Sequence, residues 1–229
     1  QRFTGRIHDR DGQPPPSGAA VRLLEKTPKN ALRVPFLAAA FPDARFVFLY
    51  RHPREAIHSM SEAWKSGRFV TYPNLPGWTG LPWSLLLTPG WRELTGRDVM
   101  EIAPRQWSAT TETLLTDLES LPADRWCVAN YGRLVVEPMA EISRLCHFLG
   151  LEWDRPLEAP LPLSRHTLTP PEPGKWKKDA ELLERVEPWF SAAANRALEV
   201  FGRAPQHLPL PTMPRPSPAL VRAPRVAGP

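Results

Sequence analysis

The chain has 229 residues, 42% of them hydrophobic, and 29 basic against 24 acidic side chains leave a formal charge of +5. That length supports one good core, and the absence of any uninterrupted apolar run long enough to cross a bilayer predicts a soluble domain with no membrane partner. The charge is mostly a tail effect, because Arg203, Arg215, Arg222 and Arg225 stand without any acidic residue in 203–229, and with no interleaved basic and aromatic repeat it excludes nucleic acid as the main partner.

Residues 1–20, with Asp11-Gly12 and Pro14-Pro15-Pro16, read as the end of a helix followed by a loop. Val21-Arg22-Leu23-Leu24-Glu25 is a short strand candidate. Thr27 can cap the next helix and Pro28 can take its first position, with Leu32, Pro35, Phe36, Ala39 and Ala40 towards the core and Pro35 weakening or kinking it. Phe46-Val47-Phe48-Leu49-Tyr50 has the continuous apolar character of a strand covered on both faces, as in a parallel sheet. A helix follows from Pro53 to about Ser66. Pro53 suits a first turn, where its missing donor costs nothing, and Glu55 suits the positive helix end.

Residues 67–97 are a long insertion rich in Gly, Pro and Trp. Its Phe69, Tyr72, Trp78, Trp83 and Trp91 fit a loop packed by its own side chains over a pocket, and equally a loop simply anchored to the domain by its tryptophans. Then come a helix over about 98–121, a strand over 125–131, a helix over about 138–149, a loop over 151–178 and a last helix over about 179–201. This alternation predicts an α/β fold, a parallel sheet flanked by helices, within one domain spanning 1–202. Residues 203–229 hold eight prolines and predict an extended, disordered tail. Cys127 and Cys146 have neither metal-ligand spacing nor a disulfide framework, so buried thiols are expected. No signal-peptide pattern opens the chain, and a cytoplasmic location is expected.

Arg51-His52-Pro53-Arg54 falls where the apolar strand stops and the helix starts. Exposed backbone donors at that helix start, with two guanidinium groups beside them, suit a phosphate. Ser59 lies about two turns further along the helix, seven residues after His52, so Arg51 and the Ser59 hydroxyl can address one ligand. A surface Arg pair in an ordinary strand-to-helix turn reads the same spacing equally well.

The segment 24–60, with Glu25-Lys26-Thr27-Pro28, Phe41-Pro42-Asp43-Ala44-Arg45-Phe46, Arg51-His52-Pro53-Arg54 and Ser59 in that order, resembles the sulfotransferase family. The resemblance extends over about 20–202. It implies a P-loop-NTPase-like sulfotransferase fold and transfer of a sulfuryl group from 3′-phosphoadenosine 5′-phosphosulfate to a hydroxyl or amine acceptor, without a metal. The acceptor would be a small molecule, a carbohydrate or a peptide. In the family, the residues matching Arg51 and Ser59 hold the cofactor 3′-phosphate.

Sulfuryl transfer needs a base for the acceptor proton and a cation for charge developing on the leaving phosphate oxygen. Glu25 and Lys26 supply both kinds, and in related enzymes the residues matching them act as the base and assist the chemistry. Neighbours in a strand point to opposite faces, so a strand-end charge pair with Lys26 in solvent stays open. Ser164-Arg165-His166-Thr167 and Pro171-Glu172-Pro173-Gly174-Lys175-Trp176-Lys177-Lys178 resemble the family's late Gly-Lys-Trp loop, which closes over the nucleotide. On that resemblance Gly174 allows close backbone approach, Lys175 brings charge and Trp176 a flat face, with the part of Lys177 and Lys178 left open; without it, a Lys cluster before a helix reads as a solvated face. Tyr131 matches the family's tyrosine near the adenine, although Gly132 and Arg133 stand where acidic residues are commonest; a core tyrosine at a strand end with a wet hydroxyl fits the same position.

The family normally begins with a strand and a glycine-containing phosphate loop for the 5′-phosphosulfate, and no such Gly-rich turn occurs in these 229 residues. The expectation is therefore an N-terminally incomplete domain, a fragment of a longer enzyme. The alternative is a noncatalytic relative that binds 3′-phosphoadenosine nucleotides only. A kinase-type α/β enzyme is a third reading, disfavoured because Arg51-His52 offers no carboxylate for Mg²⁺.

Overall fold

The computed structural model describes residues 23–151, 153, 167–170, 172 and 174–203. The expectations for residues 1–22, for Ser164-Arg165-His166, for Pro171 and Pro173 and for the tail beyond 203 fall outside the described residues. In chain order there are α1 (Val34–Ala40), β1 (Phe46–Tyr50), α2 (Pro53–Ser66), β2 (Val70–Tyr72), β3 (Trp83–Ser84), α3 (Val99–Glu119), β4 (Trp126–Asn130), α4 (Tyr131–Val136), α5 (Pro138–Leu149), α6 (Ala180–Val186) and α7 (Ser191–Arg203). Short 3-10 turns over Pro28–Leu32, Trp91–Leu94, Ala123–Arg125, Lys175–Asp179 and Glu187–Trp189 connect them.

The fold is mixed helix and parallel sheet. β1 and β4 pair in parallel, Phe46 opposite Trp126 through to Tyr50 opposite Asn130. Their alternate side chains Phe46, Phe48, Tyr50, Trp126 and Val128 meet Leu114, Leu115 and Leu118 of α3 and Ala197, Val200 and Phe201 of α7 in one core. This is period-two alternation meeting an apolar helix stripe. β4 is buried throughout Trp126–Ala129, with α5 against it. β1 departs from the expected two-sided burial: Val47 and Leu49 are 41% and 47% exposed, because the cover over β4 does not extend across β1 in the described residues.

The strand candidate at 21–25 is not borne out where it is described: 23–25 are irregular, and Leu24 is 87% exposed. Thr27 has extended N-cap geometry but makes no side-chain cap bond. The helix expected after it splits into the Pro28–Leu32 turn and α1, with Pro35 in the first turn of α1 rather than within a longer helix. Its core contact is Val34, 3% exposed, while Phe36 is 69% exposed. The last helix is likewise interrupted, at the Glu187–Trp189 turn containing Pro188. By contrast α2 runs Pro53–Ser66, ending at Gly67, whose φ of 64° favours a residue without Cβ. Asp98 caps α3 by accepting from Glu101 N–H.

Residues 67–97 are more ordered than a plain loop. β2 and β3 form an antiparallel pair, and Trp83 and Trp91 pack with Trp64, Leu94 and Ile102. Trp83 meets Trp64 edge-on at 5.3 Å and Trp78 at 4.7 Å, geometries that aromatic quadrupoles favour. The tryptophans thus anchor this module. Gln106, fully buried on α3, accepts from Trp64 Nε1 at 3.0 Å and donates to the Ser84 carbonyl at 3.1 Å, tying α2, α3 and the module together. Gln106→Leu leaves those partners without a bond in a dry core and is expected to cost about 2–4 kcal/mol, read as a lower urea midpoint.

Candidate functional site

The turn after β1 lies at the carboxyl end of the parallel pair, where open α/β sheets gather ligands. Chain-distant segments meet there. The Arg51 guanidinium lies 4.9 Å from the ring centre of Tyr131, and the Arg54 guanidinium 5.1 Å from that of Trp176. His52 stacks on the same indole at 6.5 Å and 18°. The meeting follows from topology. β4 runs parallel to β1, so Tyr131, the residue after β4, arrives beside the residue after β1. Tyr131 is the first residue of α4 rather than the last of a strand.

Two carboxylates already hold the guanidinium groups. Arg51 Nε lies 3.4 Å from Glu55 and Arg54 Nη2 2.9 Å from Glu187. Ser59 is exposed one turn beyond Glu55 on α2, so Glu55 stands along the helix between the two expected phosphate ligands. Gly174 opens the Lys175–Asp179 turn with φ 79°, a left-handed conformation, and a Cβ there would come 3.3 Å from Lys177 Cε. Lys175 parts from Trp176: its Nζ donates to Thr169 Oγ1 at 2.7 Å and to the Pro170 carbonyl. Arg51, Tyr131 and Trp176 therefore gather at one helix end, while Lys175 turns to the adjoining loop.

Glu25 and Lys26 sit in exposed, irregular backbone, and Glu25 Oε2 accepts from Asn30 Nδ2 at 2.6 Å. Neither has a described contact with the α2 start. The Lys29 ammonium lies 5.7 Å from the Tyr72 ring, which brings this segment alongside β2.

Two polar features escaped the sequence reading. Glu141, 1% exposed on α5, accepts from Asn130 N–H at 2.9 Å and from Arg144 Nη2 at 2.6 Å, and Arg144 also donates to the Val128 carbonyl. Burial works to raise the Glu141 carboxyl, but the Arg144 and Asn130 hydrogen bonds outweigh it and hold it below the usual range. The clamp fixes the end of β4 immediately before Tyr131. Its signal was an acid and a base three apart on an amphipathic helix, indistinguishable in sequence from a solvated pair. The second is His58, 5% exposed, whose Nδ1 lies 2.7 Å from Asp179 Oδ2. Its position in the buried stripe with Pro53, Ile57, Ser61 and Trp64 was readable from helical period.

Both cysteines are free; burial pushes the Cys127 thiol up to about 11 and raises that of Cys146. Among the described residues no three His, Cys, Asp or Glu side chains gather as a metal site, and no helix is long and apolar enough to cross a membrane.

A family model for the sulfotransferase family matches residues 7–155, more than half of the chain, and the chain belongs to that family. Among solved structures it resembles a sulfotransferase domain from the curacin biosynthetic pathway, at 21% identity and a TM-score of 0.41. That match covers 56% of this chain and 38% of the other, so the chain spans well under half of that domain's length. No curated protein gives a significant match.

Proposed function

We propose that the chain transfers a sulfuryl group from 3′-phosphoadenosine 5′-phosphosulfate to a hydroxyl or amine acceptor. One observation carries the reading: Tyr131, after β4, and Trp176, in the Lys175–Asp179 turn, come from separate segments and both bring aromatic faces to the guanidinium groups at the start of α2. Cations, helix-start N–H groups and flat π-faces side by side are what a phosphorylated nucleoside requires. Arg51 and Ser59 would hold the 3′-phosphate, Tyr131 and Trp176 would flank the nucleoside, and Gly174 and Lys175 would close beside it. The nucleotide supplies the sulfuryl group when bound. Glu25 is the base that takes the acceptor proton, and Lys26 is the cation for the leaving phosphate oxygen.

The reading is tested by calorimetry with adenosine 3′,5′-bisphosphate against adenosine 5′-monophosphate. A clear preference for the bisphosphate, reduced by Ser59→Ala, supports it; equal affinities for the two overturn it. In a transfer assay, Glu25→Gln is expected to lower kcat by about 10²–10⁴-fold with bisphosphate affinity unchanged. Glu25's hydrogen bond to Asn30, in exposed chain, favours a second reading, a relative that only binds 3′-phosphoadenosine nucleotides. Nucleotide binding with no transfer to any hydroxyl or amine acceptor, in the protein that carries this domain, would select it.

A further inference from the structure

The Lys175–Asp179 turn has five residues and no side-chain cap bond at its start. A 3-10 segment of that length does not hold its own shape, so its position is set by what it is tied to. Lys175 reaches Thr169 and Pro170, and Trp176 leans on the core around Ile57, Leu183 and Phe190; the other described side-chain ties run along α2. Trp176 lies against His52 and Arg54 at the helix start, Asp179 against His58, and Lys178 Nζ 3.9 Å from Glu62 a turn later. These ties are unequal. The Lys178 and Glu62 side chains are 60% and 41% exposed, and an ion pair in that much water contributes little. The His58 and Asp179 side chains are 7% and 21% exposed, and their 2.7 Å contact is less open to competing water than the Lys178 pair. A cleft of about 320 Å³ lined by His58, Glu62, Gly174, Lys175 and Lys178 adjoins this tie, leaving the turn room to shift once it is released.

We infer that His58 is a positioning residue. By donating from Nδ1 to the Asp179 carboxylate it keeps the Lys175–Asp179 turn on α2, and so keeps Trp176 beside His52 and Arg54. The inference deepens the nucleotide reading and rests on it for its consequence, because a turn that wanders must be ordered anew each time a ligand binds. His58 itself touches no reacting atom.

The test has two arms on the whole chain. Without nucleotide, hydrogen exchange of the amides in 174–179 is expected to speed on the order of tenfold in His58→Ala, while the Glu141 region of α5 stays as in wild type. With adenosine 3′,5′-bisphosphate, the same variant is expected to bind on the order of tenfold more weakly. His58→Asn, whose side-chain amide puts a donor where Nδ1 stood, restores most of both losses, and adding Asp179→Ala to His58→Ala loses little more. Unchanged exchange over 174–179, an asparagine variant as impaired as the alanine one, or fully additive losses each overturn the assignment. If His58→Ala does not fold, His58→Asn against Asp179→Ala decides the same question. Failure of the wild-type chain to bind the bisphosphate sinks the nucleotide reading instead, and the exchange arm still decides the tie.

Discussion

Arg51→Ala is expected to weaken adenosine 3′,5′-bisphosphate binding by roughly 10- to 100-fold, since a charge-assisted hydrogen bond is worth about 1.5–3 kcal/mol and each 1.4 kcal/mol is tenfold. Adenosine 5′-monophosphate, which lacks the 3′-phosphate, should lose far less. The size of the loss is limited by what Arg51 already does. Its Nε lies 3.4 Å from Glu55, and its guanidinium rests on the Tyr131 ring, so a phosphate must displace a carboxylate to gain the full bond. Glu55→Gln removes that competitor together with a like charge beside the ligand. It is therefore expected to tighten binding severalfold and, lacking one repulsion, to change its salt dependence. Calorimetry on the two variants with both nucleotides at two salt concentrations checks both signs. A bisphosphate affinity indifferent to Arg51 would move the phosphate away from this turn.

The second large effect concerns stability. Glu141→Ala leaves the Arg144 guanidinium buried without its carboxylate and the Asn130 N–H without its acceptor, and breaking a buried pair in this way costs about 3–5 kcal/mol. Glu141→Leu with Arg144→Met, which removes both charges and keeps apolar bulk, is expected to recover much of that loss. The pH dependence follows from the lowered native carboxyl. An unfolded glutamate titrates near ~4.3, so the stabilisation is present above that pH and is lost as pH falls through the lower native value. Urea midpoints between neutral and acid pH should fall less steeply in the Glu141→Ala protein than in wild type. Parallel profiles would show that the carboxylate does not carry this part of the acid response.

The elements that were legible in sequence are those whose boundaries are local chemistry. α2 is bracketed by Pro53 and Gly67, α5 by Pro138 and Gly150, and α3 begins at Asp98, whose side chain caps it. β1 and β4 announced themselves as short apolar runs between such signals. What was not legible depends on partners. Leu23 and Leu24 have strand composition but no neighbouring strand among the described residues, and a strand without a ladder has nothing to satisfy its backbone. The exposure of Val47 and Leu49 likewise depends on what covers the sheet, which no feature of Phe46–Tyr50 encodes. At the site, the approach of Tyr131 to Arg51 follows from parallel pairing and was foreseeable once an α/β sheet was expected. The diversion of Lys175 towards Thr169 was not, because residue type sets charge and not direction.

Cys127 lies in β4 at 1% exposure, next to the Arg144 side of the clamp, and its thiol is pushed up to about 11. Alkylating reagents react with thiolate, so at neutral pH this sulfur stays silent while the β4–α5 contact is closed. Each lasting opening would leave a covalent mark on it, and mass spectrometry of the peptide around residue 127 could time those openings. The protein thus carries its own clock for how often the platform beneath Tyr131 comes apart.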